Sequence, residues 1–168
     1  MRKALYILGE LDDGDIGWLA RNGRMRNLSA GERLITAGQE VRELYFVTDG
    51  RLEVATPSGV RLSTLAIGDV VGEMSFVEKR RPDASVVALG AAQILAVPRE
   101  ALLAAFQQDT GFAARFYRAL AIFLSDRLRT SSVAGRGDAE LDEGVLDTLH
   151  QAGDRFVRLL NLLNGREH

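Results

Sequence analysis

The sequence contains no cysteine, which removes disulfide frameworks and thiolate metal sites at once. The redox compartment is left unmarked, and a reducing cytoplasm is the default expectation. Histidine is nearly as scarce. The two residues, His150 and His168, both lie toward the C-terminal end, so no His-carboxylate metal cluster can be assembled around them. Nothing suggests a Ser-His-Asp or Cys-His set either, and no catalytic residue is expected: the chain reads as non-enzymatic. No apolar run is long enough to cross a bilayer. The opening "MRKALYILGELDDGD" turns acidic too soon to be read as a signal peptide, and no membrane association is expected.

What is present fits a globular protein. Of the 168 residues, 46% are hydrophobic and 26% charged, enough for one domain of ordinary size with an appendage. The net charge of -2 offers no general attraction for nucleic acid. Residues 131–168 hold Asp138, Glu140, Asp142, Glu143, Asp147, Asp154 and Glu167 against four arginines, a balance that repels a phosphate backbone.

Along the chain, "ALYILGELDDGDIGWLARNGRMRNLS" reads as one or two short helices. Asp13 or Asp15 is the expected cap, with Ile16, Leu19 and Ala20 on one face. From Gly31 the rhythm changes to short β-branched runs broken by Gly, Pro and Asp: "RLITAG", "ELYFVTDG", "RLEVATPSG", "VRLSTLAIGD" and "SVVALGAAQILAVP". Asp49-Gly50 is the strongest hairpin signal, and Pro57-Ser58-Gly59 marks a further turn. The pattern predicts an α+β fold in which an antiparallel β-roll or jelly-roll barrel is flanked by N-terminal and C-terminal helices.

Helix returns after Pro98, in two parts divided near Asp109 or Thr110. Phe112, Phe116, Leu120, Phe123 and Leu124 form an apolar stripe, and Tyr117, Ala121, Ile122 and Leu128 add apolar surface beyond it. Such a helix is either sunk between the roll and the N-terminal helices or shared with a second subunit. Residues 130–138, "TSSVAGRGD", have the composition of a flexible linker. Within 139–168, Leu141, Val145, Leu149, Ala152, Phe156, Leu159 or Leu160, and Leu163 recur at helical spacing. Gly144 and Gly153 each cost this helix about 1 kcal/mol relative to Ala, so it is expected to dock on something, with self-association favoured over a foreign partner.

Two motifs carry a resemblance. "L-x-A-G-x-x-L-x-x-x-G-x-x-x-x-x-L-Y-F-V-x-x-G-x-L-x-V" over Leu28–Val54, followed by "L-x-x-G-D-V-V-G-E-M-S-F", resembles the cyclic nucleotide-binding domain of catabolite-activator proteins and of cyclic-nucleotide-regulated kinases and channels. The likeness covers residues 11–129, and it implies a regulatory module that binds cAMP or cGMP. It further implies a short helix opening at Gly72-Glu73, with its free N–H groups aimed at the cyclic phosphate. In the family the Glu accepts a hydrogen bond from the ribose hydroxyl, an Arg shortly afterwards clamps the phosphate, and a small hydroxyl residue helps. The corresponding residues here are Val71, Gly72, Glu73, Met74 and Ser75, then Arg80, Arg81, Asp83, Ala84 and Ser85.

The departure lies at the Arg. Aligned on Ala84-Ser85-Val86, the phosphate-binding position is Pro82, with the acidic Asp83 beside it. Arg81 or Arg80 can take over the clamp, "EKRR" can be a solvated turn, or the loop can meet a partner. In a degenerate pocket Glu73 can equally pair with a nearby Arg or hydrogen-bond the loop backbone. The family's helix-turn-helix finds no counterpart in the short acidic segment 131–168, so no direct DNA binding is expected. Two readings remain open. One is a ligand-sensing homo-oligomer, a dimer favoured, whose tail carries the signal to a regulatory protein partner. The other is a ligand-independent assembly domain with a degenerate pocket.

Overall fold

The computed structural model describes residues 8–132 and 143–165. Residues 8–10 are helical, and α1 follows at Asp13–Asn22. Its cap is Asp12, one residue ahead of the expected pair. The Asp12 carboxylate accepts from the Asp15 N–H at 2.9 Å, and the Asp15 carboxylate accepts from the Asp12 N–H at 3.0 Å. Each side chain thus satisfies an amide that the helix itself leaves free. Ile16, Leu19 and Ala20 are buried, on one face as expected.

The segment after Gly23 corrects the sequence reading. Arg24–Leu28, included there in the helical stretch, is strand β1, paired antiparallel with residues 92–96. Its short polar sequence carries little strand signal of its own, and pairing with an apolar partner decides the outcome. The remaining strands are β2 (Arg33–Ile35), β3 (Glu43–Asp49), β4 (Arg51–Ala55), β5 (Arg61–Ala66), β6 (Val70–Val71), β7 (Ser85–Ala88) and β8 (Ala92–Pro98). Between β6 and β7 lies the short helix α2 (Glu73–Glu78). Helices α3 (Arg99–Gln108), α4 (Thr110–Ser132) and α5 (Glu143–Asn164) complete the chain. Asp109 caps α4 as expected, accepting from the Phe112 N–H at 2.9 Å. Thr130–Ser132, assigned to the linker by sequence, continue α4, and the rest of that linker lies outside the described residues.

The strands form two antiparallel four-stranded sheets, in the orders β1-β8-β3-β6 and β2-β7-β4-β5. This is the predicted β-roll with flanking helices. Asp49-Gly50 is not a hairpin, however, because β3 and β4 belong to different sheets. The turn is a corner between them. Gly50 has φ +81, and a Cβ there would lie 2.6 Å from the Ala91 carbonyl oxygen and 2.7 Å from the Ala92 Cα. Glycine is thus set by close approach of the β8 backbone rather than by a hairpin turn. Pro57-Ser58-Gly59 does turn a hairpin, joining the paired strands β4 and β5.

The core divides at the first sheet. Between the sheets, Leu28, Tyr45, Val47, Leu52, Val86 and Ile94 pack together. On the other face of the same sheet, Leu44, Phe46, Leu95 and Val97 meet Phe106, Phe112 and Phe116 of the helices. Covered on both faces, β3 and β8 read as the continuous runs "LYFV" and "ILAV" rather than as alternating patterns. Each such fully buried side chain contributes about 1.5–3 kcal/mol. α5 joins this second cluster through Leu159 and Leu163, so it docks on its own chain beside Leu8, Leu11 and Ile16. Of its expected apolar positions, Leu141 lies outside the described residues.

Candidate ligand cavity

A cavity of about 440 Å³ opens where β6 runs into α2. Val71 is held by pairing with Tyr45 of β3, and the chain then turns through Gly72 at φ +91. A Cβ at Gly72 would stand 3.0 Å from the Glu43 carbonyl oxygen and 3.3 Å from Val41. The left-handed turn and the close approach both require glycine. They bring the first turn of α2 to the cavity wall, with its amides lacking acceptors within the helix. Glu73 and Ser75 are 6% and 7% exposed, while Met74 is half exposed. Phe76, on the opposite side of α2, packs edge-on against Phe106 and Phe116 and so fixes the short helix to α3 and α4. Ahead of this turn, Asp69 accepts from the Ala66 N–H at 2.8 Å and closes the approach to β6, the turn role its Gly-Asp position implies.

The facing wall is the loop from Arg80 to Ala84. Lys79 leaves α2 with φ +54, unusual for a side chain with a Cβ. Arg80 pairs with Asp83 at 3.0 Å, both largely exposed. The Asp83 carboxylate therefore has an exposed cationic partner three residues back. Arg81 makes only a long contact, 3.4 Å from its Nη1 to the Gly38 carbonyl oxygen. The loop is tied at its base to the Gly38 turn, where the Gly38 N–H donates to the Pro82 carbonyl at 2.8 Å. Pro82 has no N–H to give, but it keeps this acceptor.

Of the expected ligand residues, the structure brings Val71, Gly72, Glu73, Met74, Ser75, Arg80, Arg81, Asp83 and Ala84 around one cavity. Ser85 is placed differently: its Oγ accepts from the Ala37 N–H at 3.0 Å, and it is not among the lining residues. Sequence reasoning missed Leu62 and Ser63 of β5, Glu78 of α2, and Phe123 of α4, which is 2% exposed. In the sequence Phe123 reads only as part of the apolar stripe. Leu62 and Ser63 carry no local signal, since only the β4–β5 pairing brings them to the cavity.

The lining carries Glu73, Glu78 and Asp83 against Arg80 and Arg81, over an otherwise mostly apolar surface. A buried phosphate would depend on reorienting one guanidinium. A larger cleft of about 760 Å³ lies near Lys79 and Arg99, but it is open and its Arg24–Glu43 and Arg42–Glu40 pairs are already made. Tyr45 of β3 donates to Glu43 at 3.3 Å. Its phenol pKa is raised, first by burial and then by the Glu43 charge. No group of three or more His, Cys, Asp or Glu suited to hold a metal occurs among the described residues.

Residues 25–109 match the family described as the cyclic nucleotide-binding domain. The chain belongs to that family. Among curated proteins it is 33% identical over 122 residues to glutaminase 2 of Bradyrhizobium diazoefficiens, a match covering 73% of this chain and 19% of that one. The chain spans a fifth or less of the length of the curated relatives it matches. Among solved structures, a cyclic nucleotide-binding domain from Methylobacillus flagellatus aligns with a TM-score of 0.70 at 18% identity, over 83% of this chain and 85% of that one. The catabolite activator protein of Thermus thermophilus aligns with a TM-score of 0.64 at 20% identity, over 96% and 88%. These two likenesses show the fold. As a cyclic nucleotide-binding domain the chain is a regulatory, ligand-sensing type of module. No helix among the described residues is long and apolar enough to cross a membrane.

Proposed function

We propose that this module binds a cyclic mononucleotide, cAMP or cGMP, in the 440 Å³ cavity, with Arg81 as a displaced phosphate clamp. The observation that carries the reading is the meeting of Gly72, Glu73 and Ser75 with the Arg80–Ala84 loop across a space of mononucleotide size. The first-turn amides of α2 would receive the phosphate and Glu73 the ribose hydroxyl. Arg80 is held by Asp83, whereas the weak contact of Arg81 leaves it the readier of the two to swing inward. Phe123 would cover the base from α4. Occupancy would then be read by the position of that helix, provided the ligand prefers one position over another.

The module acts in the cytoplasm without catalytic activity of its own, as a dimer or attached to a regulated partner, and 139–168 form its output segment. Support for the attached arrangement comes from glutaminase 2, in which the similar segment is a small part of a longer chain. The second reading, a ligand-independent assembly domain, is favoured by Pro82 at the clamp position and by the Arg80–Asp83 pair.

Titration calorimetry with cAMP and cGMP separates the two. Binding at micromolar or tighter affinity, weakened at least tenfold in both Glu73→Ala and Arg81→Ala, is the expected result. Absence of heat at ~1 mM nucleotide, a level that detects binding of about -4 kcal/mol, leaves the assembly reading.

A further inference from the structure

The acidic turn ahead of and into α1 is gripped from two directions. From α4, Arg118 reaches Glu10 at 3.0 Å, and Arg115 reaches Asp12 at 3.1 Å and Asp15 at 2.6 Å. From α5, Arg158 reaches Asp13 at 2.6 Å, and Arg155 donates to the Leu8 carbonyl at 3.2 Å and to that of Gly9. Four arginines from two helices thus close on a segment of eight residues, 8–15. Beneath them, Leu8, Leu11 and Ile16 share one apolar cluster with Phe112 and Phe116 of α4 and with Leu159 and Leu163 of α5.

We propose that residues 8–15 form a shared anchor through which α4 controls the docking of α5, making α5 a releasable arm. The pairs that hold α5 among the described residues go to this segment, and the segment keeps its shape partly because α4 holds it from the other side. Exposed ion pairs contribute little singly, since ordering long side chains offsets much of their attraction. Pairs converging on one short segment share that ordering, because a backbone fixed by one helix is already in place for the other. A shift of α4 that draws Arg115 and Arg118 away frees the segment and loosens the seat of α5.

Coulomb interactions work in the opposite direction, since removing two cations strengthens the field on Arg155 and Arg158. The helices grip different carboxylates, and the α5 pair Arg158–Asp13 lies at an exposed surface, where screening weakens that field, so loss of order dominates. Phe123 lines the ligand cavity from α4. The link from cavity to arm therefore rests on the nucleotide reading, whereas the anchor itself does not.

The test is hydrogen exchange of α5 peptides in the full chain, for Arg118→Ala, Arg158→Ala and the double variant. Arg118 is largely exposed, so its replacement leaves the fold intact, which β3 and β8 peptides verify. The expected result is a two- to fivefold faster exchange in α5 for Arg118→Ala, with a smaller effect of Arg158→Ala in that background than alone. Unchanged or slower α5 exchange in Arg118→Ala overturns the anchor. With ~1 mM cAMP or cGMP present, a nucleotide that binds by calorimetry yet leaves α5 exchange unaltered overturns the cavity-to-arm link while the nucleotide reading stands. No binding, together with the Arg118→Ala effect intact, overturns the nucleotide reading and upholds the anchor.

Discussion

Arg115 and Asp15 stand one hundred residues apart and form a two-point pair, with Nε and Nη2 of the arginine 2.6 and 2.9 Å from the two carboxylate oxygens. Asp15 is 3% exposed and also serves the capping box of α1, so one side chain closes a helix end and ties α4 to it. The hydrogen bonds that Arg115 donates to the Asp15 carboxylate hold the guanidinium all the more firmly in its charged form, raising its pKa. Breaking a buried pair on one side leaves the other charge stranded, which costs more than the pair contributes net. Arg115→Met is expected to destabilise the protein by about 3 kcal/mol, whereas Asp15→Asn with Arg115→Met recovers part of that loss. Urea denaturation of the two variants decides; equal losses would mean that the charge on Asp15 is well solvated without its partner.

The two kinds of left-handed glycine make a second prediction. Gly50 and Gly38 share nearly the same φ, +81 and +79, but a Cβ at Gly38 meets nothing within 4 Å, while one at Gly50 meets the Ala91–Ala92 backbone. Gly38→Ala is expected to cost about 1 kcal/mol, the conformational term alone. Gly50→Ala adds a backbone clash and is expected to cost at least about 2–3 kcal/mol. Thermal melts rank them, and equal midpoints would contradict the close approach of β8.

That contrast also shows how far the sequence could be read. The strand runs from Arg33 to Pro98 and the division at Asp109 were legible because each is fixed by local chemistry, β-branched runs and a capping carboxylate, whereas the Gly72-Glu73 turn was legible through the family resemblance. Asp49-Gly50 misled because a hairpin turn and a corner between sheets use the same residues, and only strand order tells them apart. Arg24–Leu28 misled because its strand state is imposed by β8. The cavity's near wall was legible through the resemblance, because the matching motif is contiguous in sequence. Its far wall, Leu62 and Phe123, depends on where β5 and α4 finally pack, and no nearby residue encodes that.

A third prediction concerns Tyr45. Burial and the neighbouring Glu43 raise its pKa above the ordinary value of about 10. The folded state therefore prefers the neutral phenol. The stability this gives is complete below pH ~10 and is lost as pH rises through the folded-state value. Tyr45→Phe removes that titration, so the urea midpoint of the variant should fall less between pH 9 and pH 11.5 than that of the natural chain. Parallel losses in the two proteins would show that the phenolate reaches solvent or Arg24 and Arg26 without loosening the sheet.

The last prediction puts the clamp back. By the resemblance, Pro82 stands where the family's phosphate-binding Arg is expected, and the one contact its backbone makes to the Gly38 turn is through its carbonyl, which any residue retains. Pro82→Arg therefore keeps the tie to Gly38 and places a guanidinium on the cavity wall facing the first turn of α2. A charge-assisted contact with a phosphate contributes about 1.5–3 kcal/mol. The variant is expected to bind cAMP or cGMP about ten- to a hundredfold more tightly than the natural chain, measured by calorimetry. Adding Arg81→Ala should then cost little affinity, because the restored clamp takes over its role. If Pro82→Arg gains nothing while the fold is intact, the cavity opposite Gly72 and Glu73 is not a cyclic-phosphate site. The carboxylates of Glu73, Glu78 and Asp83 would then determine which ligands it rejects.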